Sequence, residues 1–462
     1  MDRNRKLLKN TIIYFIGTFG SKILVFFLLP LYSKYLSTDQ FGTVNLVTNL
    51  VPLIGPIFTL QVTETIFRFM CTAKNEQEKK EYISNSFFLF LFGIGIFIIC
   101  YIPIVLVTKF EYTVLFALYF IFNYLALYLQ QVLRGLQKNL DYSITGIIST
   151  ITQLLINIIF ITKIHERSIL LATFAGSVIV IIYILLRIKF FKFINLKLVS
   201  KKIIKEMLKY SVPLIPNQVS WWLNGIAGIY ILEYFVGTDA TGIISFANKF
   251  PTLLATINGI FLLAWTENSI YEYSSSDKSE YYSKNLQFFT IFVIMISAFL
   301  LPAIKVYYGI CIDEKFLSSL QYIPLMFVSM IFNASATFQG SVYTASMKTK
   351  DAFSTTIIAA VVNVICSIIL IPILKIYGFI LSNVISYFVF YIVRKISVNK
   401  IVKLKENYII YIFPLIFFIV SWIVYEKFNY IINFIYDIVA FMIILIIFRK
   451  KIKQVTLKII KK

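Results

Sequence analysis

The sequence predicts an all-α polytopic membrane protein of about fourteen transmembrane helices, and three observations predict it. The 462-residue chain is 59% hydrophobic and 14% charged, whereas a soluble globular protein is nearer half apolar and about a quarter charged. The apolar residues gather in runs of about 20, the length that crosses a hydrocarbon core. The 44 Lys and Arg residues alternate between rich and poor connections along the chain.

In order, the runs are approximately 11–33, 43–68, 83–107, 112–133, 142–162, 168–190, 211–235, 242–271, 285–304, 317–343, 352–374, 378–393, 407–426 and 429–448. The first is too long for a signal peptide and lacks a small-residue cleavage site, so it is read as a retained helix. With the N-terminus inside, the cytoplasmic segments hold 33 basic residues and the opposite side holds 8; Lys22, Arg68 and Lys249 fall inside spans. That asymmetry puts both termini in the cytoplasm and requires an even number of crossings. It also accounts for the net charge of +22 without nucleic acid as a partner. Cys71, Cys100, Cys311 and Cys366 lie far apart and His165 is the one histidine, so neither a disulfide framework nor a metal site is indicated.

The longest cytoplasmic connection, 189–210, sets Lys197, Lys201, Lys202, Lys205 and Lys209 beside Leu198, Ile203, Ile204, Met207 and Leu208. This pattern predicts an interfacial amphipathic helix drawn to anionic lipid. It divides two copies of one unit. At an offset of 200, Thr38, Asp39 and Gly42 meet Thr238, Asp239 and Gly242; at an offset of 210, residues 119–148 share ten identities in thirty with 329–358, among them Asn123, Lys138, Asp141 and Thr145. Six spans is an even number, so the copies have the same orientation and a site is expected where they meet. The resulting division is 1–196 for an N-terminal six-helix lobe, 197–400 for a second lobe preceded by the amphipathic linker, and 401–462 for an additional helix pair and a basic tail.

The unusual residues are charges within spans. Lys22 sits at the midpoint of the first span, roughly 16 Å of helix from either end at about 1.5 Å per residue, where a lysine costs about 2.5–3.5 kcal/mol on insertion scales and marks an interior pathway by default. Thr11, Tyr14, Thr18, Ser21 and Lys22 form one polar stripe. In the second span Gln61, Glu64 and Arg68 share a face; the plain alternative is that Glu64 and Arg68 pair with each other at a helix end. Ser245, Lys249, Thr252, Thr256 and Gly259 form a stripe in the eighth span, and Asn217, Trp221, Asn224 and Gly228 one in the seventh, for which ordinary helix packing is the competing account.

The segment LLKNTIIYFIGTFGSKILVFFLLPLYSKYLSTDQFGTVNLV, with Asn10, Gly20-Ser21, the turn Tyr35-Leu36-Ser37-Thr38-Asp39-Gln40-Phe41-Gly42, Asn45 and the pair Arg68-Phe69, resembles the opening of bacterial polysaccharide-biosynthesis membrane proteins. These are the Wzx-type flippases of lipid-linked oligosaccharides, grouped with MATE-type multidrug exporters and the peptidoglycan-precursor flippase MurJ in the multidrug/oligosaccharidyl-lipid/polysaccharide exporter superfamily. The resemblance implies two six-helix lobes around a cation-lined cavity that opens alternately to either side of the bacterial plasma membrane. The implied substrate is an oligosaccharide on undecaprenyl pyrophosphate, with membrane lipids and polysaccharide polymerase machinery as the other partners. The last two helices are similar in placement to an extra pair that helps form a groove for the lipid tail in some relatives; Asp437 within them has no assigned role.

A pyrophosphate needs cations that are not already neutralised, and Lys22, Arg68, Arg134 and Lys249 supply them. Trp221 and Asn224 suit sugar faces and hydroxyls. Glu64 and Glu267, with Glu233 third, are the acidic candidates for Na⁺ or H⁺ coupling, and no other cofactor is expected. A cation-coupled drug exporter is the nearest rival, but it would hold its ion on intramembrane carboxylates, and the first span carries a lysine and no acid. A membrane glycosyltransferase or polymerase would show a large outer loop of clustered catalytic side chains, whereas the longest outer connection, around 305–316, is about a dozen residues. No nucleophile–base pair or phosphate loop is evident, which argues against an enzyme.

Overall fold

A computed structural model describes residues 26–107 and 112–443, with the side chains of five residues, Leu263, Ala264, Glu267, Tyr271 and Thr349, also outside the description. The described residues form helices and short connections with no strand. Ten of the helices are long and apolar enough to cross a membrane, and three shorter apolar ones, Ala227–Val236, Lys249–Leu262 and Tyr430–Ile443, accompany them.

The helices group into two compact units. The first comprises the described residues up to Phe246 together with Thr349–Phe390. It contains α1 (Leu28–Tyr35), α2 (Thr38–Phe58), α3 (Val62–Thr72), α4 (Glu76–Val107), α5 (Thr113–Gly135), α6 (Asn139–Ile164), α7 (Arg167–Ile188), α8 (Lys201–Ser211), α9 (Leu214–Gly225), α10 (Ala227–Val236), α11 (Thr238–Ala247) and, later in the chain, α15 (Thr349–Leu374) and most of α16 (Ile376–Asn399). Its core is built from apolar faces of α2–α5 and α7, among them Val62, Ile66, Phe90, Phe120, Tyr128, Leu133 and Ile184.

The second unit comprises Ala247–Lys348 and the described residues from Tyr391 onward. It holds α12 (Lys249–Glu272), α13 (Lys278–Cys311), α14 (Ile323–Ala345), the end of α16, α17 (Ile412–Lys427) and α18 (Tyr430–Ile443). Trp265, Phe338, Phe261 and Phe289 form an aromatic stack between α12, α13 and α14, with Trp265 and Phe338 4.5 Å apart. The Trp265 indole N–H donates to the Ser341 hydroxyl at 2.7 Å, which leaves no dangling donor in an apolar interior.

Several positions matched at the offsets read from the sequence also share backbone geometry. α2 begins at Thr38 and α11 at Thr238. The turn after α5 puts Gln137 at φ 59°, and the turn after α14 puts Met347, 210 residues later, at φ 59°. Lys138 N–H reaches back to the Leu133 carbonyl and Lys348 N–H to that of Tyr343, both at 2.9 Å. His165 (φ 46°) and Lys375 (φ 53°) match in the same way. None of these four is glycine, so each positive-φ residue carries backbone strain of about 1–3 kcal/mol that the surrounding turn must offset.

The helices α2 and α11, which begin at the offset-matched Thr38 and Thr238, meet at glycines. A Cβ on Gly42 would fall on the Thr238 carbonyl oxygen and 2.8 Å from the Gly242 nitrogen, and one on Gly242 would fall on the Thr38 carbonyl oxygen and 3.1 Å from the Gly42 nitrogen. Only a residue without a Cβ permits backbones to approach this closely. The Thr38 hydroxyl donates to the Asp239 carboxylate beside the crossing, and Phe41 meets Phe246 edge-on at 5.6 Å. α9 and α10 add to this seam: the Trp222 indole N–H donates to the Asn49 carbonyl at 2.8 Å and the Tyr230 hydroxyl to that of Leu46 at 2.7 Å.

The structure differs from the sequence reading in where helices start and stop. Ser37 is an N-cap in a reciprocal capping box with Gln40, so α2 starts at Thr38 and the residues read as a turn are its first coil. The second span is then interrupted at Thr59–Gln61, where Leu60 and Gln61 are left-handed. Pro56 lacks an N–H and disturbs the ladder one turn earlier. The seventh span breaks after Gly225. The linker helix α8 is amphipathic as expected, but its apolar side is engaged by protein: Met207 is fully buried and Ile203, Ile204 and Leu208 pack on the core of this unit, while Lys201, Lys202, Lys205 and Lys209 are exposed. The residues before it are stitched to α4, where the Asn85 side chain accepts from Ser200 N–H at 2.7 Å and donates to the Leu198 carbonyl at 2.9 Å.

Candidate functional site

The interruption of the second span re-aims α3. Gln61 N–H bonds to the Pro56 carbonyl at 3.1 Å and Val62 N–H to that of Thr59 at 3.0 Å; from there the helix resumes and presents Glu64 and Arg68 on one exposed face. No ion pair joins Glu64 to Arg68 among the described residues. Two left-handed non-glycine residues in succession are costly, and such strain gathers at functional sites.

Phe67, between Glu64 and Arg68 in sequence, points toward α5. There the Arg134 guanidinium lies 4.2 Å from the Phe67 ring centroid and 5.5 Å from that of Tyr142. One edge donates to the Gln131 side-chain oxygen at 2.9 Å, and the Nε is buried without a hydrogen-bond partner. The nearest acid in sequence, Asp141, is engaged elsewhere: it accepts from Arg187 Nε at 2.9 Å and from the Tyr183 hydroxyl at 2.8 Å. Arg134 is therefore held by aromatic faces and an amide, with no ion pair among the described residues. Each such cation–π contact contributes about 0.5–2 kcal/mol, and its planar donors stay suited to a phosphate oxygen. The helix C-terminus where it sits favours the positive charge.

The other sequence candidates are placed as follows. Lys22 lies outside the described residues, as does the Glu267 side chain. Lys249 is half-buried at the first turn of α12, the end of a helix that disfavours a cation. On the same helix the Thr252 and Thr256 hydroxyls bond back to the Asn248 and Thr252 carbonyls, and a Cβ on Gly259 would meet open space. Trp221 is partly exposed with its ring 6.2 Å from Phe390. Asn224, three residues on, is buried; its side-chain oxygen accepts from Ser386 at 3.0 Å in a polar seam that also joins Asn363 to Asn383 at 3.0 Å. Glu233 accepts from the Thr241 hydroxyl at 3.2 Å. The structure thus brings Glu64, Phe67, Arg68 and Arg134 to neighbouring helices, and sets Trp221 and Asn224 against Phe390 and Ser386 of α16.

Sequence reasoning missed Arg394. It reads as one of the basic residues at the inner end of a span, yet it is only 4% exposed, donates to the Ala336 carbonyl at 2.9 Å and lies over Tyr343. A Cβ on Gly340 would come within 2.5 Å of its guanidinium, and a glycine across the helix pair is the one signal that could have revealed it. The adjacent Lys395 pairs at 2.6 Å with Glu406, which also accepts from Tyr391 and Tyr411.

Ten helices long and apolar enough to cross a membrane, among the described residues, define the class of multi-pass membrane proteins. The family model for polysaccharide biosynthesis protein matches residues 7–268, and the chain belongs to that family. Curated proteins yield no match. Among solved structures the fold is similar to "Lipid II flippase MurJ, inward closed conformation", at 18% identity and a TM-score of 0.72, covering 96% of this chain and all of that one. It is also similar to an inward-facing MATE multidrug resistance transporter of the MOP superfamily, at 14% identity, covering 84% of this chain and 95% of that one, with a TM-score of 0.65. An outward-facing form of such a transporter matches at 14% identity and 0.59, covering 85% and 95%. The fold is similar to those of these three transporter structures, and the resemblance to polysaccharide-biosynthesis membrane proteins carried by the first two spans is borne out.

Proposed function

We propose that this protein is a flippase that moves undecaprenyl-pyrophosphate-linked oligosaccharide repeat units from the cytoplasmic to the outer leaflet of a bacterial plasma membrane, for capsule, O-antigen or exopolysaccharide synthesis. Fourteen spans, cytoplasmic termini and a lobe division at 1–196, 197–400 and 401–462 belong to this reading, with alternating access as its mechanism and no chemical step. The observation that carries it is family membership over residues 7–268 in a chain whose Arg134 guanidinium is cradled without an acid among the described residues.

Arg68 and Arg134 would meet the pyrophosphate, with Lys22 and Lys249 as further cations, and Trp221 and Asn224 would serve the sugars. Glu64 and Glu267 would carry Na⁺ or H⁺ coupling if the cycle uses it. The membrane potential favours such export, since each charge moved is worth about 2.3 kcal/mol per 100 mV. Depleting the protein while glycan precursors continue to be made should trap lipid-linked oligosaccharide in the inner leaflet. Loss of precursor synthesis itself, in membranes supplied with all nucleotide sugars, would instead support a transferase, and unchanged leaflet distribution with altered drug efflux would support an exporter.

A further inference from the structure

α2, α4 and α5 enclose a half-open cavity of about 270 Å³ lined by Val47, Leu50, Ile54, Phe58, Phe97, Cys100, Tyr101, Ile104 and Phe116. Its floor, Val47, Phe97 and Phe116, is buried, while Cys100 and Ile104 at the rim are exposed. The space is large enough for water, but a buried water needs two to four polar partners. Tyr101 brings the one lining hydroxyl, and it already donates to the Thr113 carbonyl at 3.0 Å. The lining carries no charge, so a headgroup or sugar finds nothing to bind. What suits these walls is hydrocarbon.

We propose that the cavity binds one acyl chain of a bilayer phospholipid, which packs as a wedge between α2 and the last turns of α4. The same helices carry exposed apolar residues beyond the rim: Ile99, Leu106 and Val107 on α4 and Val114 on α5 are between 67% and 83% exposed, as a hydrocarbon-facing surface would be. A chain therefore enters sideways without leaving the hydrocarbon layer, its headgroup staying at the interface. Phospholipid chains are also the bulk component there, so mass action favours them over a scarce polyprenyl tail. The bound chain braces the final turns of α2 just before the interruption at Thr59–Gln61, where the helix has lost part of its own ladder. This inference rests on the membrane setting and the cavity, and is independent of the cargo.

The test is photolabelling in nanodiscs of phosphatidylethanolamine containing a trace of the same lipid with a mid-chain diazirine, followed by peptide mapping. Adducts should concentrate on residues 47–58 and 97–104 and include the floor residues Phe97 and Phe116. Ile54→Trp or Leu50→Trp should lower them about tenfold, equivalent to ~1.4 kcal/mol of binding, while adducts on the exposed α15 residues Ile368, Ile369 and Ile373 stay unchanged. A wild-type map without adducts at the floor overturns the proposal whatever the variants do. So does equal labelling after filling, or loss of the label when undecaprenyl phosphate is added at the trace lipid's concentration, which would assign the cavity to the polyprenyl chain.

Discussion

Gly42→Ala should force α2 and α11 apart at their crossing. The added methyl carbon falls on the Thr238 carbonyl oxygen, 2.8 Å from the Gly242 nitrogen and 3.1 Å from the Thr238 carbonyl carbon, where ordinary van der Waals contact begins near 3.5 Å. All three neighbours are backbone, so no rotamer change relieves the overlap and the helices must separate. Overpacking of this kind costs about 1–3 kcal/mol, which disfavours the closed crossing by a factor of about 5 to 150. The readout is oxidative cross-linking of Thr38→Cys with Asp239→Cys, placed where the native side chains hydrogen-bond, in a background with Cys71, Cys100, Cys311 and Cys366 replaced by Ser. The initial rate should fall several-fold to about a hundredfold in the Gly42→Ala protein. Gly95→Ala and Gly259→Ala, whose methyls would meet nothing within 4 Å, should leave it unchanged. Cross-linking of Gly42→Ala at the parental rate would refute the close approach and the reasoning built on it.

Arg134→Ala should cut lipid-linked oligosaccharide flipping by about tenfold or more with protein level maintained, and Arg134→Lys should restore only part of it, because an ammonium keeps the charge but loses the planar fit between Phe67 and Tyr142; a leaflet-distribution assay on matched membranes decides it. Gly340→Ala should displace the Arg394 guanidinium from the Ala336 carbonyl and lower stability by about 1–3 kcal/mol, seen as a reduced thermal midpoint in detergent, and combining it with Arg394→Met should recover part of the loss. Asn85→Ala should free the linker by removing its bonds to Ser200 and Leu198, so that trypsin cuts at Lys197, Lys201 or Lys202 severalfold faster than in the parent; an unchanged digestion rate would mean that α8 alone holds the segment.

Hydropathy made the helical membrane fold legible because the bilayer demands long apolar runs regardless of detail. The matched offsets were legible because Asp, Lys and Thr recur at them, and at two of the matched positions Gln137 and Met347 share φ 59°. The breaks were not legible. Leu60 and Gln61 are poor left-handed residues by intrinsic preference, and they adopt that conformation because Pro56 weakens the preceding turn and Gly93 admits the Phe58 carbonyl. Arg134 was found as a cation, but its aromatic cradle depends on Phe67 turning away from its neighbours Glu64 and Arg68. Arg394 was hidden because a basic residue at the inner end of a span is the ordinary case, and its burial requires a glycine on another helix.

A membrane-surface helix that inserts its own apolar face can move in and out of the lipid, and so responds to how loosely the lipids are packed. α8 has no such freedom. With Met207 seated in the core and Ile203, Ile204 and Leu208 against it, its lysines are presented at fixed spacing, Lys201, Lys205 and Lys209 following one another at about 6 Å along the axis. Such a row acts as a rigid electrode: its attraction to an anionic surface varies with ionic strength and surface charge and is indifferent to curvature and acyl-chain order.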